Sequence, residues 1–459
     1  MDITSSYICP DELITLPDDK EMSVSVLQDL LAEHKNLCVE RYKVLHDAYI
    51  GNYPILHQAD KEKYKPDNRV VVNFAKYIVD TMIGFFIGVP IKVNSQDERV
   101  AEYLNLLDQY NDQDDNNAEL ARICSIYGKG YEVYYNDESS QVAIMYLNPL
   151  EGFMVYDETV QQNPRYFVSY KVDSDGFTHG EVRDASKIYF FTDKGNLHFT
   201  EEKDHGFSDI PATEFIENEE RMSIFEPCYS MINAYNKAIS EKANDVDYFA
   251  DAYLKILGPK LSEEELKSVR DHRIINLEKD DLSGVEVDFL DKPNADTTQE
   301  NLINRLERLI FQNSMVANIN DENFGTSSGI ALKYKLLSMS NLAKTKERKF
   351  VSGMNRRYKV IFSNAINNMA ADDWLKVEYK FTQNFPANLQ EEAQIAQQLS
   401  GIVSQETQLS VLSIVNDVKA EMDKIESEAE QSAPPALDQI FATQEPETNE
   451  DEVIEDVAE

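Results

Sequence analysis

The stretch that most constrains the fold lies between residues 298 and 353, where two segments of helical periodicity flank a short polar run, Asn318-Ile319-Asn320-Asp321-Glu322-Asn323-Phe324-Gly325-Thr326-Ser327-Ser328-Gly329. Upstream, Leu302, Leu306, Leu309, Ile310 and Asn313 recur at three- and four-residue spacing and so share one helix face. Asp296, Thr297 or Thr298 can cap its start. Downstream, Ser327 or Ser328 can cap a second helix that starts near Gly329 and runs through Leu332, Leu336, Met339 and Ala343 to Gly353, where glycine weakens it. The fold must therefore hold a polar loop between two helices.

The second of these helices differs in charge from the rest of the chain. Lys333, Lys335, Lys344, Lys346, Arg348, Lys349, Arg356, Arg357 and Lys359 face a single acid, Glu347, while the whole chain has 44 Lys and Arg against 83 Asp and Glu, a formal charge of -39. Two readings stand: a helix face whose cations pair with acids elsewhere, or contact with a polyanion. Tight wrapping of nucleic acid is excluded by the acid excess, because Lys and Arg supply most of that affinity.

At 459 residues the chain can bury a sizeable core and hold several subdomains. Cys9, Cys38, Cys124 and Cys228 lie far apart with no CxxC spacing, which fits scattered, mostly buried thiols in a reducing compartment. The N-terminus lacks the basic and apolar regions of a secretory signal. Tyr77 to Val89, the longest apolar stretch, is too short to span a bilayer, so a soluble protein is expected.

In order, residues 26–45 read as one long amphipathic helix ending at Gly51. A buried helix follows through Phe86, turning at Gly88-Val89-Pro90 into a short strand. From Tyr131 to Thr200 alternating aromatic and β-branched runs, separated by Asn148-Pro149, Asp175-Gly176 and Lys194-Gly195-Asn196, predict an antiparallel meander. Phe225 to Leu257 keep helical spacing for some thirty residues, or roughly 45 Å at 1.5 Å per residue. Residues 260–296 read as a small insert with strand-like Arg273–Leu277 and Val285–Leu290. Beyond Gly353 a helix reaches Ile366, and Trp374 to Phe381 form a strand able to return to the earlier sheet. Two helical patterns broken near 401–405 fill 389–425, and the tail 426–459, with twelve acids and no base, reads as disordered.

Catalytic and metal signatures are missing. Gly128-Lys129-Gly130 is a turn and not a phosphate loop, Asp112-x-Asp114-x-Asn116 lacks the glycine and distal glutamate of a calcium loop, and HExxH and GxSxG do not occur. No enzyme, cofactor or metal is expected.

Three ordered sets of residues resemble one family. Phe324-Gly325 with Ser328-Gly329-Ile330-Ala331-Leu332-Lys333 and Lys344-x-x-Glu347-Arg348-Lys349-Phe350 are similar to the tunnel loop and kinked helix of tailed-bacteriophage portal proteins of the siphophage head-to-tail connector type. Asn73-Phe74-x-Lys76-x-Ile78-Val79-Asp80 with Gly84 and Gly88-Val89-Pro90-Ile91 resembles their N-terminal wing segment, and Tyr127 to Tyr135 resembles the turn after the wing helix.

That resemblance implies an α+β portal-type fold, mainly helical, with long stem helices, a discontinuous α/β wing, a small clip insert and a helical crown. Its boundaries would be wing 1–225, first stem helix 226–257, clip 258–296, second stem helix 297–317, tunnel loop 318–329, kinked helix and remaining wing 330–385, crown 386–425 and acidic tail 426–459. It further implies a dodecameric homo-oligomeric ring at a capsid vertex of the virion, assembled in the host cytoplasm, through which double-stranded DNA enters and leaves. Partners would be terminase, major capsid and scaffolding proteins and a head-completion adaptor, with no membrane.

Asn320, Asp321, Glu322, Asn323, Phe324, Gly325, Thr326, Ser327 and Ser328 would then face DNA. Lys333, Lys335, Lys344 and Lys346 would be phosphate neighbours or, equally, inter-subunit salt-bridge partners. Arg273, Asp281, Ser283 and Gly284 would meet clip-binding partners. The competing reading is an acidic helical scaffold or adaptor with no DNA contact.

Overall fold

Ser23 starts the first helix by accepting the Val26 N–H on its hydroxyl, and Gly51, at φ +86°, ends the second in the left-handed conformation that glycine adopts freely. In the computed structural model the described residues are 13–62, 65–250, 254–257, 286–289, 296–319, 332, 334–384, 389–412, 414–415 and 418–432. They belong to two units, 1–384 and 385–459.

In the first unit α1 (Val24–Leu37) and α2 (Lys43–Ile50) are joined by one π-helical turn, Cys38–Tyr42, so the expected long helix is continuous with a single widened turn. That turn brings both Arg41 and Tyr42 inward. Then come α3 (Phe74–Phe86), β1 (Lys92–Ser95), α4 (Glu98–Asn111) and α5 (Gln113–Tyr127). The expected meander follows as β2 (Lys129–Asn136), β3 (Val142–Leu147), β4 (Gly152–Tyr156), β5 (Pro164–Val172), β6 (Thr178–Arg183), β7 (Lys187–Asp193), β8 (Leu197–Asp204) and β9 (Ala212–Ile216). It splits into a three-stranded sheet, β3-β2-β9, and a five-stranded sheet, β4-β5-β6-β7-β8, all antiparallel.

One face of the five-stranded sheet packs Phe153, Val155, Val168, Val182 and Phe191 against Leu27, Leu30 and Leu31 of α1. Tyr131, Val133, Leu147, Met154 and Phe167 fill the space between the two sheets. The largest apolar cluster joins α2 to α5 with the helices that come later in the chain.

Those helices are α6 (Tyr229–Ala250), α7 (Asp296–Ser314) and α8 (Leu337–Phe362), with β10 (Leu254–Leu257), β11 (Glu286–Phe289) and β12 (Val377–Lys380). Three expectations need correction. The long helix stops at Ala250, and Leu254–Leu257 forms a strand because its alternating side chains pair antiparallel with Glu286–Phe289. Helix α8 runs unbroken through Gly353, which lies where a Cβ would stand 2.5 Å from the Phe215 ring; glycine lets helix and sheet touch there and does not end the helix. The returning strand β12 pairs with β1, Lys92 opposite Lys380, and not with the meander.

In the second unit α9 (Leu389–Leu399) and α10 (Gln405–Ser410) are separated by Gly401 at φ +78°, with Ser404 capping α10, which is the expected break. A further helix, α11 (Val418–Ser432), covers 426–432, so the start of the expected disordered tail is helical. The architecture is mixed helix and sheet. No helix among the described residues is long and apolar enough to cross a membrane.

Candidate functional site

The polar loop is carried by the α6–α7 pair, which begins beside the main core. Gln299 donates to Asp245 (2.7 Å), Lys242 pairs with Glu300, and the Cys228 thiol donates to the Ile310 carbonyl (3.4 Å). Phe311 of α7 meets Phe74 and Tyr77 of α3 edge-on. A polar ladder adds to this: Asn236, Ser240 and Asn244, four residues apart on α6, accept the backbone N–H groups of Val72, Val70 and Asn68, two residues apart on an extended segment, at 2.9, 2.9 and 2.6 Å. A helix face thus satisfies alternate donors of an extended segment as a neighbouring strand would. These three side chains were not singled out from sequence, although their i, i+4, i+8 spacing is legible there.

At the loop's entry Asn318 donates to Glu307 (3.3 Å) and the Ile319 N–H donates to the Tyr77 hydroxyl (3.0 Å). Asn320 to Ser328 lie outside the described residues, as do Lys333 and the clip candidates Arg273, Asp281, Ser283 and Gly284. On the exit side Tyr334 and Lys335 are exposed and Leu336 is buried at the head of α8.

The basic residues of α8 divide by face. Arg357 is fully buried: its Nε and Nη2 clasp both oxygens of Glu132 at 2.8 and 2.6 Å, and Nη2 also donates to Asn117 (2.7 Å). Burial opposes its charge, but the Glu132 carboxylate outweighs that and holds the guanidinium above its ordinary pKa. Lys346 is buried as well, donating to the Ala121 carbonyl (3.0 Å), the Ser125 hydroxyl (2.6 Å) and Glu217. Lys346 is therefore corrected from phosphate neighbour to internal clamp: its ammonium is enclosed and its three donors are taken.

Lys349 pairs with Glu219 and Arg356 with Asp209 (3.2 Å), whereas Lys335, Lys344, Arg348 and Lys359 are exposed. The paired-cation reading is right for Lys346, Lys349, Arg356 and Arg357. A sequence signal for the two clamps exists. Met339, Ala343, Phe350, Met354 and Ile361 form the buried stripe of α8, and Lys346 and Arg357 fall within it.

A third clamp, Arg41 on Glu226 (3.0 and 2.9 Å), joins the π-turn to the entry of α6. Burial raises the Cys38 thiol to about 11 and the Cys228 thiol to about 12; with Cys124, these described cysteines are free and buried. No group of three or more His, Cys, Asp or Glu among the described residues has metal-holding geometry.

A helical pair braced against a mixed helix and sheet body, with three buried ionic clamps, is the framework that these residues build. The family described as "Phage portal protein, SPP1 Gp6-like" matches residues 28–435, and the chain belongs to that family of phage virion components. It is similar to the portal protein of Clostridium phage phiCD119, 22% identical over 369 residues covering 73% of this chain and 79% of the relative. It is also similar to the portal protein of Bacillus phage SPP1, 23% identical over 400 residues covering 80% and 78%. A solved chain from "Neck of empty GTA particle computed with C6 symmetry" aligns over 80% of this chain and 92% of its own, at 11% identity and a TM-score of 0.45.

Proposed function

We propose that copies of this chain close into a ring at one capsid vertex, dodecameric as in the resemblance, through which double-stranded DNA is packaged and later ejected. The ring also serves as the docking platform for terminase and for head-completion or tail adaptors. The observation that carries this reading is the α6–α7 pair, whose C-terminal end is braced on α3 through Phe311 and Ile319 where the chain enters the polar run, in a chain of the portal family.

In this reading residues 1–225 are the N-terminal wing, α6 and α7 the stem, 258–296 the clip with Arg273, Asp281, Ser283 and Gly284 toward partners, and 386–425 the crown. The formal charge of -39 gives a channel wall that repels phosphate and lets the duplex slide. With Lys346 placed inside, Lys344, exposed on α8, is a candidate for transient backbone contact.

Shortening the loop between Asn320 and Ser328 is expected to leave ring assembly intact by particle imaging and to abolish DNA packaging. Normal packaging by such a variant would refute the loop's role.

A further inference from the structure

We propose that the free edge of β9 is a docking site for an extended, carboxylate-bearing segment of a second copy of this chain, which adds there as a further strand beneath the basic flank of α8. The inference rests on the ring reading and names a contact within it.

The ladder itself shows which backbone groups are open. Tyr134 donates to the Pro211 carbonyl (2.9 Å) and Glu217 to the Gly128 carbonyl (2.8 Å), with Tyr131 opposite Glu214 in register. Antiparallel pairs alternate, so residues 211, 213, 215 and 217 turn their N–H and C=O groups toward β2, and Glu214 and Ile216 turn theirs away. Among the described residues no strand pairs with that side of the sheet.

Glu214, Ile216 and Glu219 instead line a groove of about 560 Å³ whose opposite wall is one flank of α8, where Lys349 is paired with Glu219 and the remaining cations are Arg348 and Arg356. Helix α8 covers the face of the sheet, with Gly353 on the Phe215 ring, and leaves the edge open.

An edge strand bare of partners is usually blunted by charge or covered by a helix or loop. Here the cover is incomplete, and it is cationic. Arg356 spends Nη1 on Asp209, while its Nε and Nη2, the pair that grips a carboxylate side-on, have no acceptor among the described residues and are shielded from solvent, so that a shift of the side chain brings them to a docked carboxylate. Arg348 is exposed at the same flank. Such a groove selects an extended strand for its main chain and carboxylates for its side chains.

The chain carries the complementary chemistry. Its charge is -39, and the outer strand β8 of the five-stranded sheet is exposed with Glu201, Glu202 and Asp204 along it, Glu201 paired with Lys203 and Glu202 with Lys187 at the exposed surface where such pairs exchange easily. A basic edge groove on one surface and an acidic edge on another make a head-to-tail contact, the kind that closes rings.

The test uses the full-length chain and two variants, R348E/R356Q and I216P. Proline at 216 removes an outward N–H and leaves the β2 ladder intact, and edge strands tolerate it. Circular dichroism and thermal melting establish that the monomers fold. Native mass spectrometry over a concentration series then reads ring closure.

Both folded variants are expected to need about tenfold more protein, or greater, to close rings. Wild-type ring closure by R348E/R356Q overturns the proposal while the ring reading stands, and so does wild-type closure by folded I216P. Should I216P not fold, the arginine variant alone decides. A wild-type chain that closes no ring at any concentration overturns the ring reading and this inference together.

Discussion

The inward and outward faces of α8 carry the same residue types to opposite ends. Lys346 and Lys344 are two positions apart, yet one ammonium is enclosed by a carbonyl, a hydroxyl and a carboxylate, and the other stands in solvent. Arg357 and Lys359 repeat the contrast one stretch further on. A cation on the buried stripe is committed to holding the helix on the body, Lys346 on α5 and Glu217, Arg357 on α5 and β2. One on the outer flank contributes little to stability and is left available for another molecule.

The largest effect tests the inner face. Arg357→Ala strands the Glu132 carboxylate in a fully buried site and is expected to destabilise the chain by about 3–5 kcal/mol in denaturant unfolding. A loss under 1 kcal/mol would break the distinction between the faces. Gly353→Ala sharpens it further, since the added methyl must displace the Phe215 ring or lift the helix; the better helix former should still cost about 1–3 kcal/mol. On the outer flank Lys344→Gln is expected to stay within about 0.5 kcal/mol of the parent in the same measurement, with any change confined to DNA packaging yield.

Much of this arrangement is legible in the residues. The meander is visible because alternation and turn dipeptides coincide between Tyr131 and Thr200, and the second unit's helical break is visible at Gly401. What escaped has physical causes. Gly353 looks like a stop by propensity alone, but close packing on Phe215 decides its role. Leu254–Leu257 continues the spacing of α6 and reads as helix until Glu286–Phe289, some thirty residues on, claims it as a strand partner.

The candidate site was legible as a basic helix beside a polar loop, but not by face. Counting Lys and Arg cannot separate Lys346 from Lys344; laying them on the stripe from Met339 to Ile361 does. The open edge of β9 belongs to tertiary structure entirely, since only the pairing register tells which of its peptide groups look outward.

The β1–β12 ladder sets a condition on biosynthesis. Residues 92–95 find their partner only when 377–380 have left the ribosome, so a nascent chain carries β1 unpaired through most of its synthesis. A prematurely terminated product lacking β12 would keep that edge open. The ladder therefore closes only on chains synthesised past Lys380, and any shorter chain exposes β1 as an unpaired edge.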